Sequence, residues 1–392
     1  MLIRIACLLL MALAQAGCTS APRIPITAFI AGQSIETTVD SELARYYGEH
    51  YWRGVHARPE FDAVLNRVHN TQPGRLATSD ELAQITRETS ADVATLYLAG
   101  QLLGRNKTIQ NRYNANFQAL TRAHPETSGF LPRDDRFVVL FVPGWFYQSD
   151  TTTGADFAKP REILGRHGIR EQLIEVGENG TVEENAHTIL AAIQRWSGGC
   201  DRLILVSASK GGPEVEAALS KLAQSGASHR VVAWVNIGGL LRGTRLADAA
   251  LAWPTRWYVK LFILRGAPLD AIESLQPRRR RPDRVVFPDG LTIVNYVAIP
   301  LSGHISKQAS TGYSLLREAG PNDGLTLIAD EMIPGTDTVI ELGIDHYYRH
   351  PQIDMKTVAL TQTVMELVRE KEQRAPDTAL RPTSCREAAF GG

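Results

Sequence analysis

From Arg136 onward the chain alternates short runs of apolar, often β-branched residues with stretches of helical periodicity, and this alternation leaves few architectures open. The runs fall at residues 137–142, 172–176, 203–206, 231–237, 291–299 and 338–342. Most are apolar at nearly every position, which suits strands covered on both faces. Helices are predicted between them near residues 156–167, 182–196 and 213–224, and another after the last run at 355–371. The expected fold class is α/β, a mostly parallel sheet of about six strands with crossover helices on both faces.

Other segments flank this region. Residues 1–17 read as an export signal: Arg4 supplies a positive start, and the apolar run 5–14 is too short to span a bilayer comfortably. Two cleavage readings stay open. Ala14-Gln15-Ala16 suits ordinary signal removal, whereas Ala16-Gly17-Cys18 resembles a bacterial lipoprotein box, departing from it at Gln15, where Leu is usual. Cysteine parity favours lipidation. With Cys7 removed and Cys18 acylated, Cys200 and Cys385 remain as an even pair in an oxidising compartment. The expectation is an exported chain held in the cell envelope by lipid on Cys18, with Thr19 resembling an outer-membrane sorting pattern; a periplasmic or secreted soluble form is the alternative. Residues 18–40, polar and Pro-containing, are predicted to be a tether. Residues 41–130 are predicted to be a helical N-terminal cap on the main domain. The capping box Thr78-Ser79-Asp80-Glu81 precedes Leu82, Ile85, Val93, Leu96, Tyr97, Leu102 and Leu103 at largely helical spacing.

The main domain is expected over residues 131–375, with a tail at 376–392. Roughly 50 residues separate the fourth run from the fifth, well beyond the ~10 to 12 of a minimal crossover. The insertion 239–285 is rich in Ala, Leu, Trp and Tyr with amphipathic character, compatible both with a lid and with a purely structural element. The run from Arg278 to Arg281, flanked by Pro277 and Pro282, reads as a solvated loop, or alternatively as a contact with an anionic surface such as lipid headgroups. Lys plus Arg and Asp plus Glu number 42 each, a formal net charge of +0, so nothing in the overall charge points to nucleic acid.

Leu203-Ile204-Leu205-Val206-Ser207-Ala208-Ser209-Lys210-Gly211-Gly212 reads as a strand, a turn of small residues and a helix start. A serine at such a turn sits on strained backbone, and the residues two before and two after it must be small for helix and strand to approach. Ser207 and Gly211 meet that need. A serine hydroxyl is a weak nucleophile near neutral pH, so it needs a base and a third group to orient that base. Gly343-Ile344-Asp345-His346 follows the last run, and Gly320-Pro321-Asn322-Asp323-Gly324-Leu325 lies between the fifth run and the sixth. The segment around Ser209 resembles the G-x-S-x-G nucleophile elbow of α/β-hydrolases, with Ser in place of the first Gly, and 320–325 resembles the N-D-G-L-V-type motif of bacterial lipases. The resemblance covers about residues 135–372. It implies a triad of Ser209 as nucleophile, Asp323 as acid and His346 as base. His350 and His304 are rival bases, and Asp345 is a weaker acid because a residue adjacent to the histidine usually points away from it.

The same resemblance implies an oxyanion hole of two backbone amides: that of Lys210, directly after the nucleophile, and that of Trp145 in Val142-Pro143-Gly144-Trp145-Phe146-Tyr147. Pro143 stands where the family often has His. Phe146 and Tyr147, with Trp145, are expected to line the acyl side of the pocket. In this fold Cys200 and Cys385 fall at the end of the sheet opposite the site, which implies a disulfide pinning the tail. No His/Cys set has metal-ligand spacing and no glycine-rich loop follows a strand in a phosphate-cradling pattern, so neither metal nor cofactor is expected. The expected function is a serine hydrolase of esterase or lipase type, acting on a small-molecule or lipid ester through an acyl-enzyme. The alternatives are an acyltransferase or peptidase using the same triad, and a catalytically silent envelope lipoprotein of this fold acting as a binding module.

Overall fold

The computed structural model describes residues 23–70, 74–122, 136–199, 201–227, 229–263, 268–280 and 285–374. Cys18, Cys200, Cys385, the signal and the C-terminal tail lie outside the described residues. The tether expected over 18–40 is overturned where the structure describes it. β1 (Ile24–Ile30) and β2 (Gln33–Val39) pair antiparallel in a hairpin. Along β1, Ile26, Ala28 and Ile30 are buried while Pro25, Thr27 and Phe29 face out, the alternation of a strand with one covered face. Ala31 and Gly32 turn the chain with φ of 53° and 83°, the positive pair that a two-residue hairpin loop of type I′ needs.

The inward face of the hairpin packs into a core with helices α1 (Glu42–Glu49), α2 (Pro59–Asn70), α3 (Ser79–Glu88) and α4 (Ala91–Arg105). The capping box forms: Thr78 Oγ1 accepts from the Glu81 amide at 3.3 Å, and the Glu81 carboxylate accepts from the Thr78 amide at 2.8 Å. The apolar face expected from Leu82 onward is divided between two helices, because the chain breaks at Ser90, whose hydroxyl starts α4 by accepting from the Val93 amide. Helix α5 (Lys107–Arg122) then leads to the main domain.

Six strands form the central sheet: β3 (Phe137–Val142), β4 (Arg170–Leu173), β5 (Arg202–Ala208), β6 (Val231–Ile237), β7 (Thr292–Ile299) and β8 (Asp337–Leu342). Their order is β4-β3-β5-β6-β7-β8, with every neighbouring pair parallel. β4 lies slightly before the run read from the sequence. On one face Val138, Leu140, Leu203 and Leu205 meet α7 (Val182–Trp196) and α8 (Gly211–Ser225). On the other, Val139, Phe141, Ile204 and Val235 meet α5, α6 (Ala158–Arg166) and α11 (Ile353–Arg374). Period-two alternation thus feeds two cores from the same strands. The insertion after β6 carries α9 (Arg245–Leu251) and shorter turns at Thr255–Tyr258 and Asp270–Glu273; α10 (Ser310–Leu316) follows β7. In the arginine run, Arg278 and Arg279 are exposed, but Arg280 is not solvated as expected: it is mostly buried in an ion pair with Glu183.

An edge strand presents unpaired backbone groups, and here β8 is blunted by side-chain amides. Asn106 Oδ1 accepts from the Thr338 amide at 2.9 Å; Gln110 accepts from the Ile340 amide at 2.9 Å and donates to the Ile340 carbonyl at 3.3 Å. A second junction is polar. Asp92, buried in α4, accepts from the Asp40 amide at 2.7 Å and from the amide and hydroxyl of Ser302 at 2.8 and 2.6 Å. Burial, reinforced by the charge of Asp40, pushes Asp92 from its ordinary 3.8 up to about 7. At a pH below 3.8 the group is protonated whether the chain is folded or not; as pH rises toward about 7 only the unfolded chain releases the proton, so Asp92 costs stability over that window. The melting temperature of Asp92→Asn, relative to the parent, is therefore expected to climb from acid to neutral pH. A difference that does not change with pH contradicts this.

Candidate active site

Ser209 follows directly on β5 with φ of 52°, in the left-handed region that a side chain seldom occupies. Its backbone is held there: the Ser209 amide donates to Ile237 O at 3.1 Å, and its carbonyl accepts from the amides of Gly212 and Leu240, both at 3.0 Å. Position 211 admits glycine alone, since a Cβ there would lie 2.7 Å from the Pro143 carbonyl oxygen and 2.9 Å from that of Val142. Ser207, fully buried, needs no glycine: its hydroxyl accepts from the Trp234 indole at 2.9 Å.

His346 lies in the loop after β8, and its Nε2 is 3.0 Å from Ser209 Oγ. Its Nδ1 is hydrogen-bonded to Asp323 Oδ2, and its amide donates to the Asp323 carbonyl at 3.0 Å. Asp323 is fully buried, and its other oxygen accepts from the amides of Leu325 and Thr326, each at 2.9 Å. Burial pushes this carboxyl up, yet the imidazole and the two amides outweigh it and leave Asp323 below its ordinary value. The three residues read from the sequence therefore converge. The rivals are engaged elsewhere: His350 Nδ1 accepts from the Gln352 amide, His304 Nδ1 from the Leu301 amide, and Asp345 from the amides of Ser306 and Tyr347.

The loop after β3 runs beside the serine. A Cβ on Gly144 would stand 3.4 Å from Ser209 Cβ, so the chain just before Trp145 packs against the serine. Among the described residues, neither the Trp145 nor the Lys210 amide donates to a protein acceptor. Trp145 stacks on Phe146 with ring centroids 5.2 Å apart, and both line the cavity over Ser209. Tyr147 does not. It is buried in the core between sheet and α7, with its hydroxyl donating to the Val176 carbonyl at 2.8 Å, so its expected pocket role is withdrawn. The cavity measures about 670 Å³ and is lined mostly by apolar side chains. Phe141, Phe157, Ile204 and Val235 of the sheet side and Ala247, Ala250, Val259 and Ile272 of the insertion all belong to its wall.

Two buried features were not read from the sequence. Lys210 and Glu214 form an ion pair with side chains 3% and 1% exposed, and Asn185 donates to the same carboxylate at 2.8 Å. A Lys-Glu pair four residues apart ordinarily marks a wet helix surface. Burial raises the Glu214 carboxyl, and the Lys210 ammonium opposes that rise. Glu214→Ala strands a buried cation, so a loss of ~3 to 5 kcal/mol in denaturant unfolding is expected; a loss under ~1 kcal/mol would show that the pair is wet. Glu331 is a second fully buried carboxyl beside Asp323, pushed well above its ordinary value first by burial and then by the charge of Asp323.

No family model and no curated protein matches the chain. Solved structures do. A metagenomic carboxyl esterase superposes at a TM-score of 0.54 with 18% identity, covering 80% of this chain and 99% of that one. The mature form of a Bacillus licheniformis lipase reaches 0.48 with 22% identity, covering 61% of this chain and 94% of its own. The parallel order β4-β3-β5-β6-β7-β8, the serine at the tip of β5, and a superposition that takes in the esterase almost whole identify the architecture of this chain as the α/β-hydrolase fold.

Proposed function

We propose that the protein is a serine hydrolase that cleaves carboxylic esters through an acyl-enzyme. The observation that carries this reading is the 3.0 Å approach of His346 Nε2 to a positive-φ Ser209 hydroxyl, with Asp323 on the far ring nitrogen and an apolar cavity above. Ser209 Oγ attacks the ester carbonyl carbon while His346 takes its proton. Negative charge gathers on the carbonyl oxygen, and the amides of Trp145 and Lys210 receive it; each such donor contributes ~2.7 to 4 kcal/mol of transition-state stabilisation. His346 returns the proton to the leaving alcohol. Water, activated by the same imidazole, then releases the acid and restores the serine. Asp323 fixes the ring tautomer and stabilises the imidazolium.

The wall formed by Phe141, Phe157 and Val235 suits an apolar acyl chain. That a similar solved structure is a carboxyl esterase is in keeping with this reading. A fluorophosphonate probe, followed by peptide mapping, is expected to label Ser209. An unlabelled folded protein, or a label on another residue, overturns the assignment. We also propose that the chain is exported and acylated at Cys18, on the strength of its signal and lipoprotein-like box. Incorporation of labelled palmitate, lost in Cys18→Ala, tests that separately.

A further inference from the structure

Among the described residues seven large hydrophobic side chains are exposed, and four of them fall within nine positions of the insertion: Trp253 at 81%, Trp257 at 65%, Tyr258 at 47% and Leu261 at 65%. Such a cluster is unusual on a water-facing surface and marks a place where something docks. The charges interleaved with it have one sign. Arg256 and Lys260 are exposed within the segment, and no acidic residue occurs from Ala249 to Ile263. Arg278 and Arg279, also exposed, follow Gln276, which donates to Asp248 of α9 at 2.7 Å and so ties that turn to the helix preceding the segment. Trp and Tyr rings carry an apolar body and a polar N–H or O–H, the combination favoured at the boundary between water and lipid. Lys and Arg beside them meet anionic headgroups.

We infer that residues 253–261 form a docking surface for an anionic lipid bilayer. The segment also forms part of the cavity wall. Val259, 4% exposed, points inward and lines the same cavity as Ser209, while its neighbours Trp257, Tyr258 and Leu261 point out. A bilayer seated on these rings lies one side chain from the space in which an ester reaches the serine. That delivery of an ester rests on the function proposed above; the docking does not.

The test uses the full chain with vesicles of phosphatidylglycerol and brominated phosphatidylcholine, whose bromines quench indoles that enter the lipid. Quenching is expected in the parent and in Ser209→Ala. It should be lost in Trp253→Ser/Trp257→Ser, whose folding is checked by an unchanged melting temperature. Arg256→Gln/Lys260→Gln is expected to weaken the quenching about tenfold in lipid concentration on anionic vesicles, and little on vesicles of the zwitterionic lipid alone. Equal quenching in parent and double-serine variant overturns the proposal. So does a parent that self-associates through this face in sedimentation without any quenching. Hydrolysis of a soluble short-chain ester, measured in parallel, reads the other question: quenching without hydrolysis sinks the proposed activity alone, and hydrolysis without quenching sinks the docking alone.

Discussion

Ser209→Ala is expected to lower kcat on a soluble ester by about 10⁴- to 10⁶-fold, with labelling by a fluorophosphonate abolished and the fold intact. The size follows from the geometry. Once Oγ is gone, His346 Nε2 has no nucleophile within 3.0 Å, and the amides of Trp145 and Lys210 can only stabilise attack by adventitious water. The fold should survive because alanine meets the same backbone constraint at φ of 52°, and the bonds that hold the turn run through the amide and carbonyl of residue 209. An unchanged melting temperature with activity lost is the expected pair of readings. Retention of more than about a tenth of the parent kcat would place the nucleophile elsewhere.

Asp323→Asn is expected to cost about 10⁴-fold in kcat while leaving KM nearly unchanged. The structure fixes which way the new amide must face. Oδ1 of Asp323 accepts from the amides of Leu325 and Thr326, so the carbonyl oxygen of Asn stays there and its NH₂ is turned toward His346 Nδ1. Nδ1 then becomes the acceptor and Nε2 carries the hydrogen, so the ring presents a donor to Ser209 and cannot take its proton. Steady-state kinetics with a soluble ester measures this, and a loss below about tenfold would remove Asp323 from the orienting role. Burial, the first cause of the upward push on the Glu331 carboxyl beside it, persists in the variant and opposes a replacement charge there.

The legible parts of this site were those fixed by local covalent pattern. Ser209 stands between small residues at the end of an apolar run, and the close approach of Gly211 to the carbonyls of Val142 and Pro143 explains why that pattern carries information. Asp323 and His346 were readable through the resemblance to α/β-hydrolases, whose acid and base stand between and after the later strands. Tyr147 was not, since a loop without a period gives no rule for which of three adjacent aromatics turns toward the cavity; its hydroxyl found the Val176 carbonyl instead. The buried Lys210–Glu214 pair was missed because charge at that spacing usually lies in water. The hairpin at 24–39 left a signal, two seven-residue runs joined by two residues, but Pro25 and the polar residues of β2 concealed it.

That hairpin sets the length of a leash. If Cys18 carries lipid, the six virtual bonds from its Cα to that of Ile24 extend to at most about 20 Å, and beyond Ile24 the chain is pinned into the body of the domain. A lipidated domain on so short a lead would stay at the surface of the membrane that holds its lipid. Any ester it reached would then lie in or beside that same leaflet, and inserting flexible residues before Ile24 is the alteration that would widen its range.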